Sequence, residues 1–533
     1  MENDMENEIG KNLEKPQIFL KSITFNDNTR IDLERNSIIV FTGANNSGKS
    51  QTLKDIEIDL DKTKNNTMIV IKSLEYDYCG DIEEQTFFDQ HFSITDKGYY
   101  QATEYSDMFF NRAVVCNCWK KRKLTDNLHK LFVKLLNTEL RLVSSNAVDR
   151  SQHPEQHPIY KLNNSDELAK TISDYFHQAF GVDLIVNWKD IKRIPLHVGQ
   201  APNGEAFTIN QQTLYYNQVA ALPKLQEQGD GMRSFASILL DTFTSDHTIT
   251  LIDEPEAFLH PPQARILGKM LAKNNPDERQ LLITTHSEDF LQGLIDADSK
   301  NVTVVRINRN GYINQMSILS NDEIKKLWDK PLLRYSNILS GLFHEKVIVC
   351  ESDYDCLFYQ AIMDAIYESK NEVVPNVLFT HCGGKDRIKE VVSALKAVGV
   401  PVVAVCDFDL LNSKSNFKAI IEAFGVDWDN ILSEDMQTIY NSMNTKNDGW
   451  NIIKHIGKHG FDGNESAAYE KVECVCKDIG LFIVPVGEME CFDKTPNKKK
   501  KEWVYYVLEN YNLANEPKLN KARDFIQEIL NFN

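Results

Sequence analysis

The sequence predicts an α/β protein made of two domains, and three observations support this prediction. The chain has 533 residues, more than the roughly 250 to 300 at which one hydrophobic core stops growing. Apolar, strand-like runs alternate with helical segments between residues 231–318 and again between residues 346–407, which predicts a mostly parallel sheet in each half. A polar, helical stretch at residues 321–339 separates the two series. We therefore expect a first domain over residues 1–340 and a second over residues 341–533.

The composition is that of an ordinary globular protein and excludes several classes. Hydrophobic residues make up 42% and charged residues 26% of the chain, so neither a disordered nor a fibrous protein is indicated. No apolar run reaches the roughly 18 residues that span a bilayer, and the acidic, polar start of the chain differs from a signal peptide. These features predict a cytoplasmic protein without membrane contact. Ten cysteines, several of them in strand-like runs, indicate buried thiols rather than disulfides or a zinc site.

The net charge of −18 argues against broad electrostatic attraction to DNA. It is compatible with a local basic groove, for which residues 120–123 and 498–501 are the candidate patches. A run of charges is more often a solvated face than a binding site, so these patches alone do not predict contact with nucleic acid.

Residues 43–50 read GANNSGKS, a complete G-x-x-x-x-G-K-S phosphate loop between the strand SIIVFT and the helix SQTLKDIEIDL. Backbone N–H groups of such a loop surround the β-phosphate, the lysine neutralises the β- and γ-phosphate oxygens, and the serine hydroxyl reaches Mg²⁺. The loop therefore predicts ATP and Mg²⁺ as ligands. The candidate ATP-binding residues here are Gly43, Asn46, Gly48, Lys49, Ser50 and Gln51.

The segment TITLIDEP supplies the second part of an ATPase site. Its apolar strand delivers Asp253 towards Mg²⁺ and places Glu254 to polarise the attacking water. A plain helix cap by Asp253 before Pro255 is the structural alternative, and it is less favoured beside a phosphate loop. After one helix and the strand QLLITT comes His286, whose imidazole at a strand end is placed to contact the γ-phosphate.

Between these motifs lies QGDGMRSFASILL, a glycine-bearing turn that opens a helix. Such a turn presents backbone amides to a γ-phosphate in the signature motif of ABC ATPases, with Gly231 and Ser234 as the candidate residues. A signature segment cannot reach the phosphate loop of its own chain, so this interpretation predicts a homodimer with ATP clamped between subunits. An ordinary helix N-terminus is the alternative.

Residues 76–198 are polar, and we expect them to form a mostly helical insertion or lobe. LHKLFVKLLNTELRLV has apolar residues at helical spacing, and SQHPEQHP is typical of a loop. The ligand of this lobe stays open between nucleic acid, a partner protein and a reverse-transcribed RNA–DNA complex.

Four carboxylates follow strands of the second half. Glu351 ends KVIVCE, Asp355 lies in the first turn of the next helix, and Asp407 and Asp409 follow VVAVC as D-F-D. The ends of parallel strands meet at one edge, where open α/β folds bind ligands. Gathered carboxylates suit Mg²⁺ or Mn²⁺, which can orient a phosphodiester and activate water. A turn is the alternative for D-F-D alone.

These motifs resemble known families. IDEPEAFLHPPQ, with the THS of residues 285–287, resembles the ABC-type ATPases of the RecF and OLD (overcoming lysogenization defect) group. The acid after the first strand, the Gly383–Gly384 turn and the later D-x-D resemble the Toprim domain, and the order of ATPase then Toprim is similar to OLD-family nucleases. The resemblance implies that Glu351 is a metal ligand and possible base, and that Asp355, Asp407 and Asp409 complete the metal sites.

The segment VPVGEMECFDKTPNKKKKEWVYYVLE also resembles the closing Toprim segment of that family. The resemblance implies that Glu488 or Glu490 joins the metal site and that Lys500 or Lys501 contacts the scissile phosphate. Because four lysines follow one another, the register of the contact stays open. Solvated surface acids and lysines are the alternative here.

The resemblance implies an ATP-controlled, metal-dependent nuclease similar to anti-phage effectors of the Gabija and retron-associated kinds. It favours DNA over RNA as the substrate, and the choice between them stays open. It also implies a homodimer or higher homo-oligomer through the ATPase heads, with a defence-system protein as an additional candidate partner. The competing hypothesis is an ATP-gated sensor or scaffold whose Toprim domain does not cleave. Topoisomerase and primase roles are disfavoured, because the sequence shows no further domain for strand passage or template grip.

Overall fold

The computed structural model describes residues 15–61, 67–82, 85–95, 98–102, 108–125, 127–150, 157–163, 165–190, 192–202, 209–297, 300–311, 313–320, 322–323, 325 and 339–532. The chain separates into two compact units, one of Met1–Thr42 with Asn46–Asp322 and one of Gly43–Asn45 with Glu323–Asn533. Most of the predicted polar helical stretch at residues 321–339 lies outside the described residues. The predicted domain boundary at residue 340 stays a prediction.

The first unit contains sixteen described strands and ten described helices. The strands are β1 (Gln17–Phe25), β2 (Arg30–Asp32), β3 (Ile38–Thr42), β4 (Ile71–Cys79), β5 (Phe92–Ile94), β6 (Tyr100–Ala102), β7 (Phe109–Phe110), β8 (Val133–Leu136), β9 (Val148–Asp149), β10 (Asp183–Val186), β11 (Arg193–Ile194), β12 (Leu196–Gly199), β13 (Ile249–Asp253), β14 (Gln280–Thr284), β15 (Val302–Asn310) and β16 (Ile313–Ser320). The helices are α1 (Lys49–Leu60), α2 (Gln85–His91), α3 (Arg112–Lys120), α4 (Thr138–Ser144), α5 (Pro158–Asn163), α6 (Asp166–Phe180), α7 (Ile209–Ala220), α8 (Asp230–Thr244), α9 (Pro261–Lys273) and α10 (Glu288–Asp296).

A six-stranded sheet in the order β16-β15-β3-β14-β13-β8 forms the centre of this unit. All its pairings are parallel except the edge pair β15 and β16, as the alternation of strands and helices predicts. β3 and β14 are buried along their whole length, and β13 is buried up to Asp253. The continuous apolar runs in the sequence therefore correspond to central strands, whose carboxyl ends deliver polar residues to one edge.

The lobe at residues 76–198 is mixed rather than mostly helical, so this part of the prediction was wrong. β5, β6 and β7 form an antiparallel sheet, and β10 pairs with β12. The segment LHKLFVKLLNTELRLV, whose apolar residues have helical spacing, begins with a 3₁₀ turn at Leu128–Leu131, continues as β8 and ends as α4. β8 pairs in parallel with β13, from Val133 beside Ile249 to Leu136 beside Ile252. Pairing with a strand more than a hundred residues later in the chain outweighed the local helical spacing.

The second unit contains four described strands and nine described helices. The strands are β17 (Lys346–Cys350), β18 (Val377–His381), β19 (Val402–Cys406) and β20 (Leu481–Ile483). The helices are α11 (Asp353–Lys370), α12 (Ile388–Ala397), α13 (Lys414–Ala423), α14 (Trp428–Ile431), α15 (Ser433–Thr445), α16 (Gly449–Ile456), α17 (Gly463–Ile479), α18 (Lys500–Asn510) and α19 (Asn520–Asn531).

The four strands of the second unit form a parallel sheet in the order β18-β17-β19-β20. β17 and β19 are therefore neighbours, although residues 351–401 separate them in the chain. Helices α13 to α17 are inserted between β19 and β20. A core that includes Phe358, Trp503 and Phe525 packs on one side of the sheet. None of the helices in the described ranges combines the length and apolar character needed to cross a bilayer.

Candidate functional site

The phosphate loop joins β3 to α1, as predicted, and places Lys49 in the first turn of the helix. Lys49 is only 4% exposed. Burial lowers the pKa of its ammonium group to about 8, while the negative charges of Glu254, Asp253 and Glu256 act in the opposite direction. A buried cation at a helix N-terminus provides both the charge and the backbone amides that bind a polyphosphate.

Ser50 and Asp253 lie side by side, as a shared magnesium site requires. The Ser50 hydroxyl donates to Asp253 Oδ1 at 2.8 Å. The Thr284 hydroxyl, at the end of the neighbouring strand β14, donates to the same oxygen at 2.5 Å. A hydroxyl next to a carboxylate is a donor set that suits Mg²⁺, so the residues present fit the ion that the phosphate loop implies.

Glu254 and His286 contact each other at the ends of β13 and β14. His286 Nε2 lies 3.2 Å from Glu254 Oε1. Burial, and next the positive charge of Lys49, lower the pKa of His286 to about 4. The imidazole is therefore neutral near pH 7, and its Nε2 atom lies within hydrogen-bonding distance of the Glu254 carboxylate. Glu254 has a φ of 49°, a left-handed conformation that a non-glycine residue keeps only when its surroundings impose it.

Arg141 on α4 stabilises the turn at Asp253 and Glu254, a role that was not predicted from the sequence. Its guanidinium is fully buried and donates to the carbonyl oxygens of Asp253 at 2.7 Å and Glu254 at 3.0 Å. The Arg141 carbonyl accepts a 2.5 Å hydrogen bond from Ser237 of α8. Nothing in the local sequence signals this role, because it follows from β8 lying beside β13.

Glu256 is a second residue that the sequence reading missed, although it lies within the quoted IDEPEAF motif. Its Oε1 accepts hydrogen bonds from the Thr285 hydroxyl at 2.8 Å and from the His286 N–H at 2.6 Å. Burial raises the pKa of the Glu256 carboxyl. Glu256 thereby fixes the backbone that carries His286.

The segment proposed as a signature motif opens α8, but its two named residues have different surroundings. A Cβ atom at Gly231 would lie 2.5 Å from the carbonyl oxygen of Phe258, so only glycine allows this close approach. Ser234 is fully buried in its own chain. Their contact with ATP across a dimer stays a prediction.

The remaining residues proposed for ATP lie in or beside the phosphate loop. Asn46 has a left-handed φ of 60°, and Gly43 and Gly48 also have positive φ. The Gln51 amide donates to Asp55 Oδ1 at 2.8 Å. Asp55 is fully buried and accepts the backbone N–H groups of residues 69–71, at and just before the start of β4. Gln51 therefore supports this loop–strand junction in the described structure, and its predicted contact with ATP is untested.

In the second unit, Glu351 and Asp407 approach each other from neighbouring strands. The Asp407 backbone N–H donates to Glu351 Oε1 at 3.0 Å. Burial raises the pKa of Glu351 to about 7, with the charges of Asp409 and Asp355 adding to this effect. Burial also raises the pKa of Asp407 well above its usual range, reinforced by Glu351, Asp355, Glu488 and Asp409. The predicted acids are therefore close enough to repel one another.

Asp355 also has a structural role. Its Oδ2 accepts the Ser352 N–H at 2.9 Å and the Ser352 hydroxyl at 3.0 Å, which forms a capping box at the start of α11. Burial raises its pKa, and Glu490 and Asp353 contribute to the increase. The helix start thus presents a carboxylate near the other acids.

Two lysines that the sequence reading did not single out lie among these acids. Lys385 Nζ is 3.1 Å from Asp409 Oδ1. Lys454 Nζ is 2.9 Å from Glu488 Oε1 and 3.8 Å from Asp409 Oδ2. Within the described part of the chain, no three His, Cys, Asp or Glu side chains are already arranged to hold a metal ion. Crowded carboxylates with raised pKa values still form a donor set that fits a divalent cation, so the metal-binding roles stay predictions.

The lysines that the resemblance suggested, Lys500 and Lys501, begin α18. Lys501 Nζ lies 5.6 Å from the centroid of the Tyr505 ring, and Lys500 has a left-handed φ of 46°. Their contact with a phosphate stays a prediction.

Two protein families match parts of the chain. Residues 131–291 match the family described as AAA domain, putative AbiEii toxin, Type IV TA system. Residues 342–409 match the family described as Overcoming lysogenization defect protein-like, TOPRIM domain. The chain therefore contains a segment similar to AAA domains, followed by a segment similar to OLD-like Toprim domains. The resemblance to the OLD family is thereby confirmed.

Similar proteins include two curated nucleases. The Old nuclease of Escherichia phage P2 is 24% identical over 277 residues, covering 48% of this chain and 45% of the relative. The OLD nuclease of Thermus scotoductus is 24% identical over 272 residues, covering 47% of this chain and 48% of the relative. The chain spans about half the length of the curated relatives it matches. Among solved structures, an Smc head bound to the C-winged helix domain of ScpA matches with 12% identity and a TM-score of 0.35, over 58% of this chain and 99% of that one.

Proposed function

We propose that the protein is an ATP-binding and ATP-hydrolysing, metal-dependent endonuclease of the OLD type, which cleaves DNA and serves in anti-phage defence. The observation that supports this most directly is the approach of Glu351 and Asp407, 3.0 Å apart from carboxylate oxygen to backbone nitrogen, with further acids close enough to raise their pKa values. Neighbouring carboxylates at the ends of parallel strands are the environment in which divalent cations assist phosphodiester cleavage.

In the nucleotide site, the chain's own residues have distinct tasks. Lys49 and the backbone of the phosphate loop bind the phosphates, and Ser50 with Asp253 would hold Mg²⁺. Glu254 orients the attacking water, while neutral His286 donates a hydrogen bond towards the γ-phosphate. Gly231 and Ser234 of a second subunit complete the site in a homodimer or higher homo-oligomer.

In the acidic site, Glu351, Asp355, Asp407, Asp409 and Glu488 would hold Mg²⁺, or Mn²⁺ in its place. A divalent ion bound there would activate water and stabilise the leaving oxygen. Glu351, whose pKa is near neutrality in the protein alone, is placed to accept a proton. The lobe at residues 76–198 is available for DNA, a defence-system protein or a reverse-transcribed RNA–DNA complex.

The test is cleavage by purified protein of single- and double-stranded DNA and RNA, with Mg²⁺ or Mn²⁺ and with or without ATP. Asp407→Ala should reduce cleavage by about 1,000-fold, since metal-assisted stabilisation contributes several kcal/mol, and ATP binding should survive. Asp429→Ala, which changes an exposed aspartate paired with Lys418, is the matched control. Undiminished cutting by Asp407→Ala would exclude this site as the nuclease centre.

A second candidate function is an ATP-gated sensor or scaffold that recruits a separate effector. It is favoured by the salt bridges from Lys385 and Lys454 to Asp409 and Glu488, which neutralise part of the acidic site without a metal. ATP hydrolysis without cleavage of any nucleic acid in the same assays would support this function over the first.

A further inference from the structure

Lys454 differs from a solvated surface lysine, because its side chain lies beside the acidic site. It lies on α16, within the helical insertion between β19 and β20. Its ammonium group reaches both Glu488 and Asp409, at 2.9 and 3.8 Å. Its side chain is 37% exposed, so part of the side chain is open to a ligand from outside while the ammonium group faces the acids.

The backbone around Lys454 is packed tightly against the loop that carries Glu488. Gly487 has a φ of 116°, and a Cβ atom there would overlap the carbonyl group of Lys454. Gly457 has a φ of 60°, and a Cβ atom there would overlap the carbonyl group of Pro485. The end of α16 and the loop after β20 thus approach each other through two glycines, a contact that other residues would prevent.

Hydrogen bonds connect the same contact to the D-F-D turn. The Lys458 N–H donates to the Pro485 carbonyl at 3.1 Å, and the Phe408 N–H donates to the Gly487 carbonyl at 2.9 Å. The segment that carries Lys454 and the turn that carries Asp407 and Asp409 are therefore bound to one loop. This arrangement fixes where the ammonium group lies relative to the carboxylates.

We propose that Lys454 binds a phosphate of the nucleic-acid backbone beside the acidic site, a proposal that rests on the proposed nuclease function. An ammonium group has three donors. Among the described residues, that of Lys454 lies at hydrogen-bonding distance from Glu488 and at 3.8 Å from Asp409, so at least one donor remains for a phosphate oxygen. A divalent ion among the acids would weaken the hold of Glu488 and Asp409 on the lysine. Lys454 then meets the charge of the phosphodiester that lies against that ion.

The proposal differs from the expectation for Lys500 and Lys501. Those residues begin α18, and the Lys501 contact is with the Tyr505 ring. Lys454 instead already contacts two of the predicted metal-binding acids. The two alternatives can be separated by changing one lysine at a time.

The experiment measures binding of a fluorescent DNA duplex to the full-length protein in Ca²⁺ without cleavage, over a series of salt concentrations. Lys454→Gln should weaken binding about tenfold and reduce the slope of log K against log salt by about 0.9, the effect of losing one phosphate contact. Lys454→Arg should retain the slope, because it keeps the charge. Lys458→Gln, four residues further along and paired with Glu473, is the matched control and should behave as the parent.

The same preparations are then assayed for cleavage in Mg²⁺ and for ATP hydrolysis, which checks folding of the first unit. Parent affinity and parent slope for Lys454→Gln would overturn the proposal, as would a loss of slope confined to Lys501→Gln. If the parent binds DNA and never cleaves it, the nuclease function fails, while the salt slope still decides whether Lys454 contacts phosphate.

Discussion

The nucleotide site and the acidic site differ in how the charges of their buried side chains are balanced. In the first, the cation Lys49 faces Asp253, Glu254 and Glu256, so opposite charges compensate one another within the protein. In the second, burial raises the pKa of Glu351 and of Asp407, neighbouring acids add to both increases, and the two lysines pair with Asp409 and Glu488. The nucleotide site is therefore balanced as folded, whereas the acidic site carries an excess of negative charge that a bound cation would remove.

The largest expected effect concerns the balanced site. Glu254→Gln should reduce ATP hydrolysis by about 100- to 10,000-fold, the usual contribution of a general base, because an amide cannot polarise the attacking water. ATP binding, measured by equilibrium titration, should persist because Lys49 and the phosphate loop are unchanged. Glu227→Gln, at an exposed glutamate, serves as the control. A loss smaller than tenfold would contradict the role given to Glu254.

A second prediction uses the pH dependence of the crowded site. The pKa of Glu351 rises from its ordinary 4.5 to about 7 in the folded protein, so the fold favours the protonated carboxyl. The contribution of Glu351 to the free energy of unfolding is therefore greatest below about pH 4.5. It decreases by about 3 kcal/mol as the pH rises towards 7. Denaturant unfolding in EDTA between pH 5 and 8 measures this loss.

Glu351→Gln is the comparison for that experiment. Its free energy of unfolding should depend less steeply on pH than that of the parent, and the difference should shrink when Mg²⁺ is added. If the free energy of unfolding depends on pH in the same way for parent and variant, the fold does not disfavour ionisation of Glu351. The proposed difference in charge balance between the two sites would then be contradicted.

A third prediction compares the same substitution in both sites. Asp253→Asn removes a partner of the buried Lys49 and should destabilise the protein by about 1–3 kcal/mol. Asp407→Asn relieves repulsion among acids and should raise the melting temperature in EDTA. Thermal unfolding of the two variants and the parent shows whether each substitution raises or lowers the melting temperature. Two shifts in the same direction would contradict the charge balance described above.

The smallest expected effect concerns Arg141. Arg141→Lys keeps a positive charge but loses the paired donation to the carbonyls of Asp253 and Glu254. We expect the kcat of ATP hydrolysis to fall about tenfold, equivalent to about 1.4 kcal/mol, with little change in KM for ATP, because the guanidinium positions Glu254 and does not touch the nucleotide.

Arg150→Lys changes an exposed arginine of the same lobe and is the control. Steady-state ATP hydrolysis over a range of ATP concentrations separates kcat from KM. An increase in KM at constant kcat would assign Arg141 to nucleotide binding instead.

The sequence was informative wherever a motif stands at the end of a buried strand. Lys49, Asp253, Glu351 and Asp407 could be placed because short apolar runs predicted parallel strands, and parallel strands bring their ends to one edge. The side of the acidic site formed by Lys385 and Lys454 was not predictable. The position of Lys454 depends on how an inserted helix packs against a loop thirty residues later, which no local pattern records.

The lobe shows the same limit at the level of secondary structure. The spacing of apolar residues in LHKLFVKLLNTELRLV fits a helix, yet four of its residues form β8 because β13 offers a free edge. Arg141 was missed for this reason, since its partners become apparent only once α4 is known to follow that strand. Short strands are decided by distant partners, and helical spacing alone cannot exclude them.

The position of β8 at the margin of the six-stranded sheet has a practical consequence for protein engineering. Excising residues 76–198 to obtain a minimal ATPase would remove the outer neighbour of β13 and expose the backbone groups of a strand that is buried up to Asp253. Bare apolar edges recruit strands from other molecules, so such a truncation should aggregate. A shortened protein that keeps residues 127–145 would preserve the pairing of β8 with β13.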